Sequence, residues 1–184
     1  MRKKEIFNAI IEIISQKGIS YISTTEITKK IGISQPAIYK HFKNKDEIIL
    51  YFIDELKNEL KKIIDFANKG KDIFEKIQRL YEAHFKFVES TKVIPRIVFS
   101  DEIHDIKTDK KRIKFKEVCF DYYRNEITKI FLEENINREK AELYAQILLG
   151  SFLITALNWM LDGMKYKLNS EIPKFLDFWK NILK

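Results

Sequence analysis

The chain of 184 residues is long enough for one ordinary domain or two small subdomains; its 45% apolar and 33% charged residues, with five glycines and three prolines, exclude a disordered chain and a turn-rich β protein. The single cysteine, Cys119, excludes an intrachain disulfide scaffold. The net charge of +7 is uneven: residues 1–45 carry nine Lys or Arg against three acids, a basic excess that suits a polyanionic partner or forms a solvated lysine-rich face.

Apolar residues Ile6, Phe7, Ile10, Ile11 and Ile14 recur at three and four, which predicts a first helix over residues 3–16 that Gly18 can end. Ser23 and Glu26 have capping-box spacing and predict a second helix, Thr24 to Ile31, stopped by Gly32. A third begins after Ser34. Asn44, Lys45 and Asp46 lead into a long fourth helix whose apolar set runs from Ile48 through Phe52 and Leu56 to Ile64. Ile73, Ile77, Leu80, His84 and Val88 stripe a fifth, and Pro95 falls in the break after it. A sixth segment is expected over residues 96–105 and a long seventh over residues 109–134.

Residues 143–161 carry no charge and approach the length that spans a bilayer. Gln146, Ser151, Thr155 and Asn158 are spread around that helix, however, and no second such stretch exists. It is therefore read as lying between the protein's own core and a partner subunit rather than in a membrane. A last amphipathic segment, residues 172–183, offers Phe175, Leu176, Trp179 and Leu183, and the two together form the expected homodimer surface. No sustained apolar/polar alternation and no hairpin dipeptide occur, so the fold class is all-α with about nine helices. The basic start, MRKKEIF, has interrupted apolar positions and no small-residue cleavage site, and a cytoplasmic protein is expected.

The stretch GISQPAIYKHFKNK, residues 32–45, carries the most information. Each helical residue turns about 100°, so Ile38 and Phe42 point one way and anchor the third helix on the first two. Lys40 then lies opposite, with Pro36 and Ala37 close to it and Tyr39 and His41 on the flanks. Such a ridge fits the major groove, about 12 Å wide, while the flanking hydroxyl and imidazole reach toward the phosphates. Pro36 falls in the first turn, where its missing N–H costs nothing, and Gly32 permits the reversal between the helices. Helix pairs joined by glycine also occur in proteins that never meet DNA, so the pattern alone leaves Tyr39 and His41 open to a plain surface role.

The segment ITKKIGISQPAIYKHFKNKDEII, preceded by the Ser23 cap, resembles the DNA-binding segment of TetR-family (TetR/AcrR-type) transcriptional regulators over residues 3 to about 50; beyond it the resemblance is architectural. The resemblance implies a helix-turn-helix DNA-binding domain, residues 1–46, joined to a helical ligand-sensing and dimerisation domain, residues 47–184. It implies phosphate contacts from the positions of Tyr39, His41 and Lys45 and from the hydroxyls opening the second helix, Thr24 or Thr25. The positions of Gln35, Pro36, Ala37 and Lys40 would then face the bases. Pro36 stands where the family often has Gly or another small residue. It has no N–H to donate, which leaves Gln35 for an adenine edge and Lys40 for guanine as the expected readers. The implied function is a homodimeric repressor on a palindromic operator in double-stranded DNA, released by an apolar or amphipathic small-molecule effector. A protein of the same fold acting through another protein, in chromosome or division control, would share the same N-terminal residues. A membrane-attached helical protein would need residues 143–161 in lipid.

His84 lies on the stripe of the fifth helix with Tyr81 and Phe85 beside it, either as a hydrogen-bonded core residue or as the polar handle of a ligand cavity. These three are the candidate ligand-binding residues. Asp101, His104 and Asp105 have the spacing to share one helical face as metal ligands do, but no second cluster completes the set; no metal site is expected, and the run reads as a solvated charged face. Cys119 reads as buried, and a redox role would need an electropositive setting, for which Arg124 is the nearby cation. No Ser/His/Asp order, glycine-rich phosphate loop or CxxC is present, so neither an enzyme nor a bound cofactor is expected.

Overall fold

The computed structural model describes residues 3–104 and 109–183, and every regular element among them is helical. In chain order these are α1 (Lys3–Lys17), α2 (Thr24–Ile31), α3 (Gln35–Tyr39), α4 (Lys45–Ala67), α5 (Ile73–Thr91), α6 (Ile94–Val98), α7 (Asp101–His104) and α8 (Asp109–Phe115). A π-helical stretch, Lys116–Tyr122, then leads into α9 (Tyr123–Leu132), followed by α10 (Arg138–Leu161) and α11 (Ile172–Ile182). The elements form two compact units, one of residues 1–57 with 91–118 and one of residues 58–90 with 119–184.

In the first unit α1 is covered by both α2 and α6, so its buried arc is wider than a single stripe. Ile6, Phe7, Ile10, Ile13 and Ile14 are enclosed, whereas Ile11, expected on the stripe, is half-exposed. The Phe7 and Phe52 rings stack with centroids 5.6 Å apart and join α1 to α4. Pro95 and Ile97 of α6 and Ile103 of α7 add to the same core.

The expected sixth segment is two short helices. Ser100 donates both its N–H and its hydroxyl to the Ile97 carbonyl, at 3.0 and 2.9 Å, and that local bonding ends α6. The expected seventh helix contains the π stretch. Its buried positions step by five from Val118 to Tyr123, which the i→i+5 bonding of a π turn accommodates and a continuous α-helix does not.

The second unit is built on aromatic rings. Tyr81 stacks on Phe175 with centroids 4.8 Å apart and meets Phe152 edge-on at 5.0 Å, and Trp179 packs against Phe131 and Tyr144. Helix α10 buries Ala141, Ala145, Leu148, Phe152, Ala156 and Trp159 at helical spacing. Its other side exposes Leu143, Ile154 and Leu161. Among the described residues α10 is the one helix long and apolar enough to cross a membrane, and its buried side packs on α9 as a core helix of this unit.

Candidate nucleic-acid interface

The site is assembled from local rules. Ser23 is extended and accepts the Glu26 N–H on its hydroxyl at 3.1 Å, which starts α2. The Glu26 carboxylate accepts from Lys17 at 2.6 Å, and that hydrogen bond holds its carboxyl below the usual range. Gly32 ends α2 in the left-handed conformation at φ 70°, where its N–H and that of Ile33 both reach the Thr28 carbonyl. Pro36 occupies the first turn of α3, where no N–H is needed.

Ile38 is fully enclosed and Phe42, whose N–H bonds to the Ile38 carbonyl at 3.0 Å, is 8% exposed. Pro36 and Tyr39 of α3 face solvent, Tyr39 at 54% exposure, but the helix ends at Tyr39, short of the expected Phe42, and Lys40 and His41 continue the ridge in the turn after it. Ala37 is half-buried beside it. The side chains of Lys40 and His41 make no hydrogen bond or ion pair among the described residues, which leaves a cation and an imidazole available on an open face.

The hydroxyls opening α2 are linked to α3. Thr24 donates to the Tyr39 hydroxyl at 3.4 Å, and the Gln35 amide donates to Thr25 at 3.0 Å and to Thr28 at 3.2 Å. Reading an adenine edge therefore requires Gln35 to exchange bonds that it already makes. Lys45 lies apart from this group. Its ammonium donates to the Ser20 carbonyl at 2.8 Å and to Glu102 at 3.0 Å.

The Glu102 carboxylate also accepts from Lys111 at 2.9 Å, and Lys111 pairs with Asp46 at 2.9 Å. Burial raises the Glu102 carboxyl, but the bonds from Lys111 and Lys45 outweigh it and leave it below its ordinary value. The acidic run from Asp101 to Asp105, which includes Glu102, reads in the sequence as a solvated face, and Lys111 and Thr28 carry no expectation. No spacing links residues 57 positions apart such as Lys45 and Glu102, although a lysine and acids near a predicted helix start are a general cue. Asp101 is exposed, while Asp105 and the side chain of His104 lie outside the described residues, so the possible metal face is not assembled here.

Of the candidate ligand residues, Tyr81 and Phe85 are fully buried. The Tyr81 hydroxyl bonds Ser151 at 2.8 Å and receives the Trp179 indole N–H at 3.3 Å. His84 Nδ1 lies 3.2 Å from the Tyr123 hydroxyl, its ring stacks 4.2 Å from that of Phe152, and its Nε2 is buried without a partner. Burial pushes its pKa down to about 3, so the imidazole is neutral. A separate open groove of about 600 Å³ within this unit, floored by Ile63, Phe66, Ala83 and Phe87, does not include these three residues. Burial pushes the Cys119 thiol up to about 12, and Arg124 pairs with Asp121 at 3.5 Å, so neither makes a reactive thiolate.

Residues 6–52 match the model of the bacterial regulatory proteins of the tetR family. The chain is 24% identical over 177 residues to the nucleoid occlusion factor SlmA of Vibrio atlanticus (strain LGP32), covering 90% of this chain and 87% of that protein. The transcriptional regulator FadR from Bacillus subtilis, solved in complex with stearoyl-CoA, matches with a TM-score of 0.78 and 22% identity over 96% of each chain. A TetR transcriptional regulator from Legionella pneumophila matches with a TM-score of 0.82 and 14% identity over 96% of each chain. Residues 6–52 thus match the tetR-family model, and the chain as a whole has the fold of the solved TetR regulator from Legionella pneumophila.

Proposed function

We propose that the protein is a sequence-specific transcriptional regulator, acting as a homodimeric repressor whose heads, residues 1–46, read a palindromic operator. The observation that carries this reading is the orientation of α3 and the turn that follows it: Ile38 and, beyond the helix end, Phe42 inward, Pro36 and the cap residue Lys40 outward. Lys40 and Gln35 are assigned to the bases, with Pro36 and Ala37 against the groove floor. Tyr39, His41, Lys45 and the Thr24 and Thr25 hydroxyls are assigned to phosphates. Of the expected pairing residues, Trp179 is fully buried and Phe175 stacks on Tyr81 inside the unit, so the surface assigned to subunit pairing is the apolar outer side of α10 with exposed Phe178 and Ile182 of α11. A protein working on chromosomal duplex works in the cytoplasm.

Residues 47–184 would sense the effector, an apolar or amphipathic molecule. The stearoyl-CoA bound by the FadR relative supports that class, and the unpartnered His84 Nε2 supplies a polar group for it. Coupling of about 1 to 3 kcal/mol suffices to change operator occupancy five- to a hundredfold. Selection of bound fragments from random DNA tests the reading: an inverted repeat with half-sites about 34 to 36 Å apart is expected, and recovery of unrelated sequences overturns it.

A second reading has its own support. The relatives named nucleoid occlusion factors align along most of the chain, so the DNA-bound protein would act through another protein. Normal transcription in a deletion strain with misplaced division septa would favour it over the first.

A further inference from the structure

Lys45 stands where the proposed DNA-binding reading assigns a phosphate contact, yet its ammonium is already held by an anion. It lies 3.0 Å from one oxygen of Glu102, and Lys111 takes the other at 2.9 Å. Lys111 also pairs with Asp46, so two cations and two carboxylates form a neutral cluster at the start of α4. We propose that Glu102 is an internal stand-in for a DNA phosphate, occupying Lys45 and exchanging it with the duplex.

This inference rests on the DNA-binding reading and adds a residue that sets its strength. A carboxylate and a phosphate present the same kind of anionic oxygen to an ammonium, so the exchange replaces one ion pair by another. The four groups differ in what they can do. The Lys45 side chain is 35% exposed and its ammonium is open to a competing anion. That of Lys111 is 5% exposed and keeps Asp46 as a second partner, so it stays in place. When Lys45 leaves, the half-buried Glu102 retains Lys111, and its carboxylate is not stranded without a cation. Glu102 sits on α7 and Lys111 on α8, so the cluster makes the affinity of the head depend on where the segment after α6 holds one carboxylate.

The test uses the full chain and a random-sequence duplex titrated over a range of salt concentrations. Glu102→Gln is expected to tighten binding about three- to fivefold and to steepen the logarithmic salt slope by about 0.9, the mark of one further phosphate contact. Adding Lys45→Ala to Glu102→Gln is expected to abolish both gains. Folding is followed by circular dichroism. If Glu102→Gln loses helicity, the double change Glu102→Met with Lys111→Met removes Glu102 together with its buried partner and is expected to show the same steeper slope. A folded Glu102 variant with wild-type affinity and slope overturns the proposal alone. Wild-type protein that binds no duplex at low salt overturns the DNA-binding reading and this proposal with it.

Discussion

Helices α3 and α10 are both half-buried, and they turn opposite chemistries outward. Helix α3 hides Ile38 and presents Pro36 and Tyr39, with Lys40 at its cap, whereas α10 hides Phe152 and Trp159 and presents Leu143, Ile154 and Leu161, the last 71% exposed. Water solvates the first face well. It is expelled from the second, where burying each large aliphatic side chain contributes about 1.5–3 kcal/mol. One surface is thus suited to a polyanion, with an attraction that salt weakens, and the other to an apolar partner, with an association that salt does not weaken.

The largest expected effect removes the anchor that orients α3. Ile38→Ala empties a fully enclosed position and should cost about 2–5 kcal/mol of stability, measured by urea unfolding. A loss below about 1 kcal/mol would mean that α3 is held by something other than its buried side.

Ile154→Asp strikes the other helix on its outward side, at a position that is 53% exposed in the monomer. It should leave the unfolding midpoint of the monomer near wild type, convert the dimer to monomer in sedimentation, and weaken operator binding about 100-fold through loss of the second head. A dimer that persists would assign pairing to another surface.

Acid separates the buried sides of the two helices. His84, stacked on Phe152 of α10, has a pKa near 3, below its ordinary 6.5. Between those values the unfolded chain takes up a proton that the native chain refuses. Its contribution is therefore whole above pH 6.5 and is lost progressively as the pH falls from there toward 3. His84→Leu should flatten that decline, seen by comparing urea unfolding at neutral and mildly acidic pH; an unchanged slope would mean that the imidazole is hydrated.

The smallest effects divide α3 itself. Lys40→Ala should change base preference by about 1–3 kcal/mol at one position of the site. Tyr39→Phe should cost about 1 kcal/mol or less, evenly over all sequences, and it also removes the acceptor of the Thr24 hydrogen bond. Equal losses on every DNA for both variants would remove Lys40 from the readers.

The sequence by itself determined the head. The Ser23 cap, the Gly32 stop and the four-residue step from Ile38 to Phe42 act over a few residues, so the bounds of α2 and the outward side of α3 follow from propensity and period alone. The π turn was not legible in this way, because Cys119 and Tyr122 give the sequence an ordinary three- and four-residue spacing between Val118 and Tyr123.

Only the tertiary structure decided which polar groups of the site are already engaged. Gln35 reaches Thr25 and Thr28 on another helix, Lys45 finds Glu102, and His84 finds Tyr123 with its second nitrogen left over. These partners lie between 7 and 57 positions apart. Local periodicity says which side of a helix is buried, but the choice of partner for a buried or ion-paired group is made by the packing of distant elements, where removal from water makes a specific contact obligatory.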